Sequence, residues 1–459
     1  MRIVLNNFRV VDEDTGLSAA SLIIENGFIV RVLPGQDSFR EQKNAAMVID
    51  GANLVSPGSA LPVLMPAFVD LHAHFRDPGD SEKGAPLPSE LSLPSEVLES
   101  ASLSAAAGGF GTVVCMANTR PPIDTIEKAA ALKSRSDALG LVDLYPVLSL
   151  SKNLEGKELS EISRLSPGGG YVPLMLSEDG KDLSDDRLFL AAMKEAKRLG
   201  IPISCHCDFG GDEALAAKSA GQSRSVWSRI EENNAVRRVI ELGKKAGCHI
   251  HIAHVSTKEA VEMIRAEKIR LAEANGFTLT CEVMPHNLCL TEEDALKLGA
   301  ESWGRVNPPL RSEEDRQALI RELADGTIDA IATDHAPHSR PDKEAGAAGF
   351  SGFETAFAAV FTELVKGGAG TPVIDLKRLS SLMSAAPARL LGFDEGSQKR
   401  GRLLPGYRAD LVLVDTEAPW IVNPQAFYTR GKNSPFIGRK LFGKILMTIR
   451  GDRLLAFGT

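Results

Sequence analysis

The run Asp70-Leu71-His72-Ala73-His74-Phe75-Arg76 sets two imidazoles two residues apart at the end of an apolar stretch. On a β-strand that spacing points both side chains to one face, and two imidazoles so placed can grip one metal ion. Phe68, Val69 and Leu71 mark the strand as buried rather than exposed. The chain has nine histidines, at 72, 74, 206, 249, 251, 254, 286, 335 and 338, and none in either flank. Most end apolar β-like runs: His206, His254 and the pair Asp334-His335 close three more of them. Imidazoles and a carboxylate gathered at one rim predict a divalent-metal centre, with zinc the best match to this borderline donor set. Another run closes on Glu178-Asp179-Gly180. A carboxylate there could bridge two metals or cap one, although Asp-Gly is also a common turn pair.

Such a centre needs a rigid frame, and the middle of the chain predicts one. Eight strand candidates stand at 67–74, 111–118, 141–149, 170–178, 201–207, 248–256, 277–286 and 328–336. Amphipathic helical patterns separate most of them, for instance SDDRLFLAAMKEAKRLG and SEEDRQALIRELADG, with capping residues at the start and glycine at the end. Eight alternations predict an α/β fold, a (β/α)8 barrel, whose active site lies at the C-terminal rim of its strands. Residues 1–57 and 399–459 instead alternate in short runs with turn residues, Glu25-Asn26-Gly27 reading as a hairpin. They predict the two parts of one small β-sandwich domain beside a catalytic barrel spanning 58–398. The stretch 56–66, SPGSALPVLMP, reads as a Pro-punctuated connector, and 79–97 as a polar excursion at the barrel mouth.

Composition narrows the class further. Of 459 residues, 43% are hydrophobic and 24% charged, which excludes disorder, collagen and coiled coil as overall classes. The net charge of −8 argues against nucleic acid as the main partner. No apolar run reaches the length of a membrane span, and MRIVLNNFRV shows no signal-peptide pattern; a cytoplasmic protein is expected. Six cysteines are too few for a disulfide scaffold and read as buried free thiols. In Cys205-His206-Cys207, strand alternation turns both thiols away from His206, so neither is expected to be a ligand.

Several motifs together resemble those of dihydroorotases, in the branch of the amidohydrolase superfamily often called class I. They are DLHAHFRDPG (70–79), NTRPPID (118–124), SEDG (177–180), HVST (254–257), NPPLR (307–311), TDHAPH (333–338) and NSPFIG (433–438). The resemblance runs over nearly the whole chain, and the combination is far more specific than a single His-x-His. It implies that His72 and His74 bind the more buried zinc and His206 and His254 a second. Asp179 would bridge the ions, where other cyclic amidohydrolases carry a carboxylated lysine, so that one or two ions are expected, two in the bridged case. Asp334 would be both a metal ligand and the general acid/base. Arg76, Asn118 and His338 would hold the substrate carboxylate, with His74 beside them, and Asn307 and the backbone of Ala348 and Gly349 would contact the ring or its open-chain equivalent.

The sequence departs from the family pattern in three places. A proline-glycine before strand one reads Pro66-Ala67, Pro-His-His after strand seven reads Pro285-His286-Asn287, and the insertion after Gly79 is long. None touches a mapped ligand.

The resemblance implies zinc-dependent, reversible cyclisation of N-carbamoyl-L-aspartate to (S)-dihydroorotate with release of water, the third step of pyrimidine biosynthesis. Arg76 discriminates among related reactions, because a guanidinium pairs with a planar carboxylate and uncharged hydantoins or dihydrouracil offer none. The bland alternative is an ion pair of Arg76 with Asp77 or Asp80. A hydantoinase, dihydropyrimidinase or allantoinase would want a lysine near the end of strand four, and the nearest, Lys157 and Lys181, do not fit that position. A homodimer is the default assembly. A weakly active chain that depends on an aspartate carbamoyltransferase partner is a further alternative. The segment 339–352, SRPDKEAGAAGFSG, reads equally as a loop that closes on substrate or as a plain surface loop.

Overall fold

The computed structural model describes the chain except for residues 36–41, 78–95, 167, 209–210, 273–276, 369 and 458–459. The excursion expected at 79–97 therefore lies outside the described residues, apart from Glu96 and Val97.

Each of the eight central strand candidates contains a strand. They are β6 (Phe68–Ala73), β7 (Phe110–Cys115), β8 (Asp143–Pro146), β9 (Leu176–Ser177), β10 (Ile203–Cys205), β11 (His249–Ile252), β12 (Thr278–Val283) and β13 (Ala330–Ile331). Strands β6 to β8 form one parallel sheet and β9 to β13 another. Two parallel bridges join them into a closed barrel: Leu148 to Leu176 between the third and fourth strands, and Ala73 to His335 between the first and eighth. Closure leaves each strand covered on both faces, which is why these segments read as continuous apolar runs rather than alternating ones. Helices return the chain between most strands. Asp186–Leu199 is capped by the Asp185 side chain on Arg187 N and stops at Gly200 in the left-handed region. Glu313–Asp325 is capped by Ser312 and stops at Gly326.

The chain ends meet in one sheet. Strands β1 (Arg2–Val11), β2 (Gly16–Glu25), β3 (Phe28–Pro34), β4 (Met47–Asp50) and β5 (Val63–Pro66) join β14 (Asp410–Asp415), β17 (Lys444–Arg450) and β18 (Arg453–Ala456); β15 (Trp420–Ile421) and β16 (Lys440–Leu441) pair separately. Asn26 and Gly27 both take positive φ (50° and 81°) in the β2–β3 turn, the conformation an Asn-Gly hairpin supplies. The sheet has its own core, with Ile3, Phe8, Leu22, Leu403 and Leu411 among its members, distinct from the core of the barrel.

One expectation needs correction. The segment 56–66 is not all connector: Val63–Pro66 is a buried strand, paired with Arg9 and Val10 of β1 and with Leu411–Val414 of β14. Its prolines disguised it, because proline is tolerated at a strand's ends but not in its hydrogen-bonded interior.

Candidate active site

The barrel strands deliver the candidate residues to one rim. Strand β6 ends in His72 and Ala73, with His74 next; Asp179 follows β9, His206 follows β10, His254 follows β11 and Asp334 follows β13. Backbone strain concentrates there. Arg76, Cys207, His254 and Asp334 all hold positive φ, between 36° and 56°, a conformation L-residues adopt at a cost and one that clusters at functional sites.

Three imidazoles are aimed by their outer nitrogens. His72 Nδ1 lies 3.0 Å from Glu282 Oε1, His74 Nδ1 2.9 Å from Asn118 Oδ1 and His206 Nδ1 3.3 Å from Ser177 Oγ. Each contact turns the corresponding Nε2 inward, the usual arrangement for imidazole ligands. Inside, His72 Nε2 stands 3.3 Å from His206 Nε2, and Asp334 Oδ1 lies 3.1 Å from His74 Nε2 and 3.6 Å from His72 Nε2. Asp179 Oδ1 touches His206 Nε2 and lies 3.6 Å from His72 Nε2; its Oδ2 is 3.6 Å from His74 Nδ1 and has no hydrogen bond among the described residues.

The cluster fits a metal. Two nitrogens bound to one tetrahedral ion by bonds of about 2.05 Å would be separated by about 3.3 Å, close to the His72–His206 spacing. An orphaned, buried carboxylate oxygen on Asp179 adds an unused donor. Potential ligand atoms of His72, His206 and His254 lie within 4.8 Å of one another, as do those of His72, His74 and Asp334. His72 belongs to both groups, so the two sets are contiguous.

Charges are strongly coupled in this pocket. Burial opposes the charge on His72, but Asp334, Asp179 and Glu282 hold its pKa well above the ordinary imidazole value. Burial likewise opposes ionisation of Asp334 and Asp179, yet the neighbouring imidazoles hold both carboxyls below their usual range. At His254 the balance falls the other way: burial, His206 and His72 outweigh the opposing pull of Asp334 and Glu282 and bring it down to about 3, leaving a neutral imidazole suited to ligation.

All twelve site residues named from the sequence line a single cavity of about 470 Å³. Arg76 Nη2 lies 3.5 Å from His338 Nε2, which lies 2.8 Å from the carbonyl oxygen of Ala348. Asp77 does not pair with Arg76; it binds Arg135 at 2.6 and 3.0 Å. Asp80 lies outside the described residues. Among the described residues Arg76 has no carboxylate ion pair; its guanidinium faces the cavity, with Asp179 and Asp334 acting on it only from beyond ion-pair distance. Gly349, at φ 136°, is pressed so close that an added Cβ would meet Ala336 Cβ at 2.6 Å.

Several supporting residues escaped the sequence reading. Glu282 lies within reach of both His72 and His251, at 3.0 and 3.1 Å; burial opposes its charge, but the two imidazoles hold its carboxyl at about 2. Asp70 accepts from Thr333 N at 2.9 Å and from Thr333 Oγ1 at 2.6 Å, fastening the first strand to the eighth. Glu232 clamps two motifs together, accepting from Ser256 N and Thr257 N at 2.7 and 3.0 Å and from Arg311 Nη2 at 3.1 Å. Arg224 lines the cavity and donates to Val306 O at 2.9 Å and to Asn307 Oδ1. A lone acid inside an apolar run was the available signal for Asp70 and Glu282; Arg224 and Glu232 gave none. At the departure after strand seven, the buried Asn287 amide has no hydrogen-bond partner among the described residues. The thiols of Cys205 and Cys207 are unbridged and buried, and Cys207 lines the cavity.

A closed (β/α)8 barrel, flanked by a β-sheet, thus brings to its C-terminal rim a set of histidines and carboxylates that could hold a metal ion. The profile of the Amidohydrolase family matches residues 63–455, and the chain belongs to that family. Its curated relatives include dihydroorotases from Geobacillus sp. (strain WCH70), 35% identical over 99% of both chains, and from Bacillus cereus (strain B4264), 33% identical over 99% of this chain and 98% of the other. Among solved structures, L-hydantoinase from Arthrobacter aurescens superposes with a TM-score of 0.78 at 25% identity, covering 99% of this chain and 96% of that one. Dihydropyrimidinase from Brevibacillus agri gives 0.76 at 20% identity, covering all of this chain and 95% of that one, and supports the fold alone. Family and relatives together make the chain a hydrolase of cyclic amides.

Proposed function

We propose that the chain is a dihydroorotase, interconverting N-carbamoyl-L-aspartate and (S)-dihydroorotate in pyrimidine biosynthesis. One observation carries the choice of substrate: among the described residues Arg76 opens onto the cavity without a carboxylate partner, beside His338 and in the same cavity as Asn118. A guanidinium held this way pairs best with a planar carboxylate on the ligand.

His72, His74, His206, His254, Asp179 and Asp334 would hold zinc, one or two ions. Zinc supplies an activated water and a polarised carbonyl when bound. The chain's own residues do the rest. Asn118 accepts from His74 Nδ1 through its oxygen, which leaves its amide nitrogen to donate to the substrate. Asp334 accepts a proton at its carboxylate during ring opening and returns it to the leaving nitrogen, and the reverse serves cyclisation. Asn307, Ala348 and Gly349 form the wall against which the ring packs.

The hydantoinase or dihydropyrimidinase reading is favoured by the structural neighbours. Against it, the fourth strand supplies Asp179 to the cluster rather than a lysine: Lys157 is engaged by Glu155 at 2.9 Å, and Lys181 is exposed and does not line the cavity. An allantoinase meets the same objection.

The deciding experiment measures hydrolysis of dihydroorotate, hydantoin, dihydrouracil and allantoin by the purified chain, with zinc supplied and metal content determined on the same sample. Turnover confined to dihydroorotate supports the proposal. Preference for an uncharged ring overturns it. The proposal extends to a cytoplasmic homodimer, checked by light scattering. If zinc is bound and all four substrates fail, addition of an aspartate carbamoyltransferase tests for a required partner. Among the described residues no helix is long and apolar enough to cross a membrane.

A further inference from the structure

Lys343 is a lysine with no exposed surface. It lies on the one-turn helix Arg340–Glu344, which Ser339 caps by accepting from Asp342 N at 3.3 Å. The turn drives its side chain inward, and Nζ donates to the carbonyls of Ala347 at 2.8 Å, Arg305 at 2.9 Å and Gly349 at 3.0 Å. An ammonium has three donors, and here all three are used. No ion pair to Lys343 is present among the described residues, so backbone dipoles and the Phe350 ring, 5.4 Å from Nζ, are what it meets instead. Burial, reinforced by Arg305 and Arg224, lowers its pKa to about 8. A position that only needed filling would be occupied more cheaply by an apolar side chain, because a buried charge is unfavourable unless its hydrogen bonds are made.

The three carbonyls belong to two segments of the cavity wall. Arg305 leads into Asn307, while Ala347 and Gly349 flank Ala348. Asn307, Ala348 and Gly349 all line the cavity. A backbone bond from Gly349 N to Arg305 O at 3.0 Å and a donation from Asn433 Nδ2 to Gly349 O at 3.0 Å complete the joint.

We propose that Lys343 is a positioning residue for the substrate ring: its ammonium fastens 347–349 to 305–307, so that this wall stands formed before substrate arrives. The segment 339–350 is then a fixed platform rather than a lid. The proposal rests on the reading of Asn307, Ala348 and Gly349 as ring contacts.

Two measurements test it. In the zinc-loaded Lys343→Met variant, KM for dihydroorotate rises about tenfold or more while kcat falls less than about threefold and zinc content stays unchanged; Lys343→Gln, which keeps two donors, recovers part of the KM loss. A Met variant that folds with wild-type KM overturns the proposal, as does a loss confined to kcat. The second measurement needs no variant. Hydrogen–deuterium exchange of the wild-type chain without substrate should show the 345–350 amides already protected. Protection acquired only on adding dihydroorotate overturns the fixed platform. If the wild type does not turn over dihydroorotate, the functional reading fails, while exchange in the free chain still decides whether the joint is preformed.

Discussion

Glu282 and His72 meet at 3.0 Å with both side chains fully buried, so the imidazole shared by both groups of potential metal ligands is itself held by a carboxylate on the seventh strand, two strands away around the barrel. Orienting partners of this kind contribute roughly 10–100-fold to metal affinity. Glu282→Gln is therefore expected to lose zinc that much more readily in a chelator competition, at unchanged stoichiometry under saturating zinc. Wild-type retention would show that the carboxylate does not orient the ligand.

Arg76→Ala removes the guanidinium from the cavity without touching the cluster. Losing one partner of a buried charged pair costs about 2–4 kcal/mol, or roughly 30- to 1,000-fold in kcat/KM for dihydroorotate. Zinc content should match wild type, and any turnover of uncharged hydantoin should be affected far less. Equal losses on both substrates would remove the carboxylate argument.

Asp334→Asn keeps the shape of the side chain but not its basicity. General acid/base groups supply about 10²–10⁴ in rate, so kcat is expected to fall within or beyond that range, with thermal stability nearly preserved. A variant with kcat within about threefold of wild type would assign proton transfer elsewhere.

Asp143 sits where the barrel meets the flanking sheet, 2.7 Å from Arg400, 3.1 Å from Arg408 and in contact with Arg450. Burial works against its charge, but the three guanidinia hold its carboxyl at about 2. A carboxyl with a lower pKa in the folded than in the unfolded chain stabilises the fold above its unfolded value, near 4, and loses that contribution as the pH falls toward 2. The shift corresponds to roughly 2 kcal/mol. In chemical denaturation, the stability difference between wild type and Asp143→Asn should be level above pH 5 and shrink below pH 4. A difference that stays constant down to pH 2.5 would contradict the charged network.

Much of this architecture was readable because burial on both faces writes itself into sequence. Strands β6 to β13 appear as apolar runs, and the residues that end them fall together once the barrel closes. The position of Asp179 was readable as well, although its strand is reduced to Leu176–Ser177. Features that depend on contacts between distant segments were not readable. Nothing near Arg224 announces Asn307, and nothing near Glu232 announces Arg311. Lys343 was hidden for a different reason: a lysine in a Gly- and Ala-rich stretch looks solvated until the one-turn helix is seen to point inward. Val63–Pro66 was masked by its flanking prolines, and Asp70 and Glu282, lone acids within apolar runs, tie strands together through contacts with distant segments that their own runs do not announce.

The pairing of Val63–Pro66 with β14 also constrains how the chain is made. Its partner, Leu411–Val414, leaves the ribosome only after every barrel strand has emerged. Until then Val63–Pro66 has β1 on one side and a bare edge on the other, of the kind that invites pairing with a neighbouring chain. Nascent chains stalled before residue 410 should therefore aggregate or recruit chaperones, whereas release of the last strands closes the edge and the molecule together.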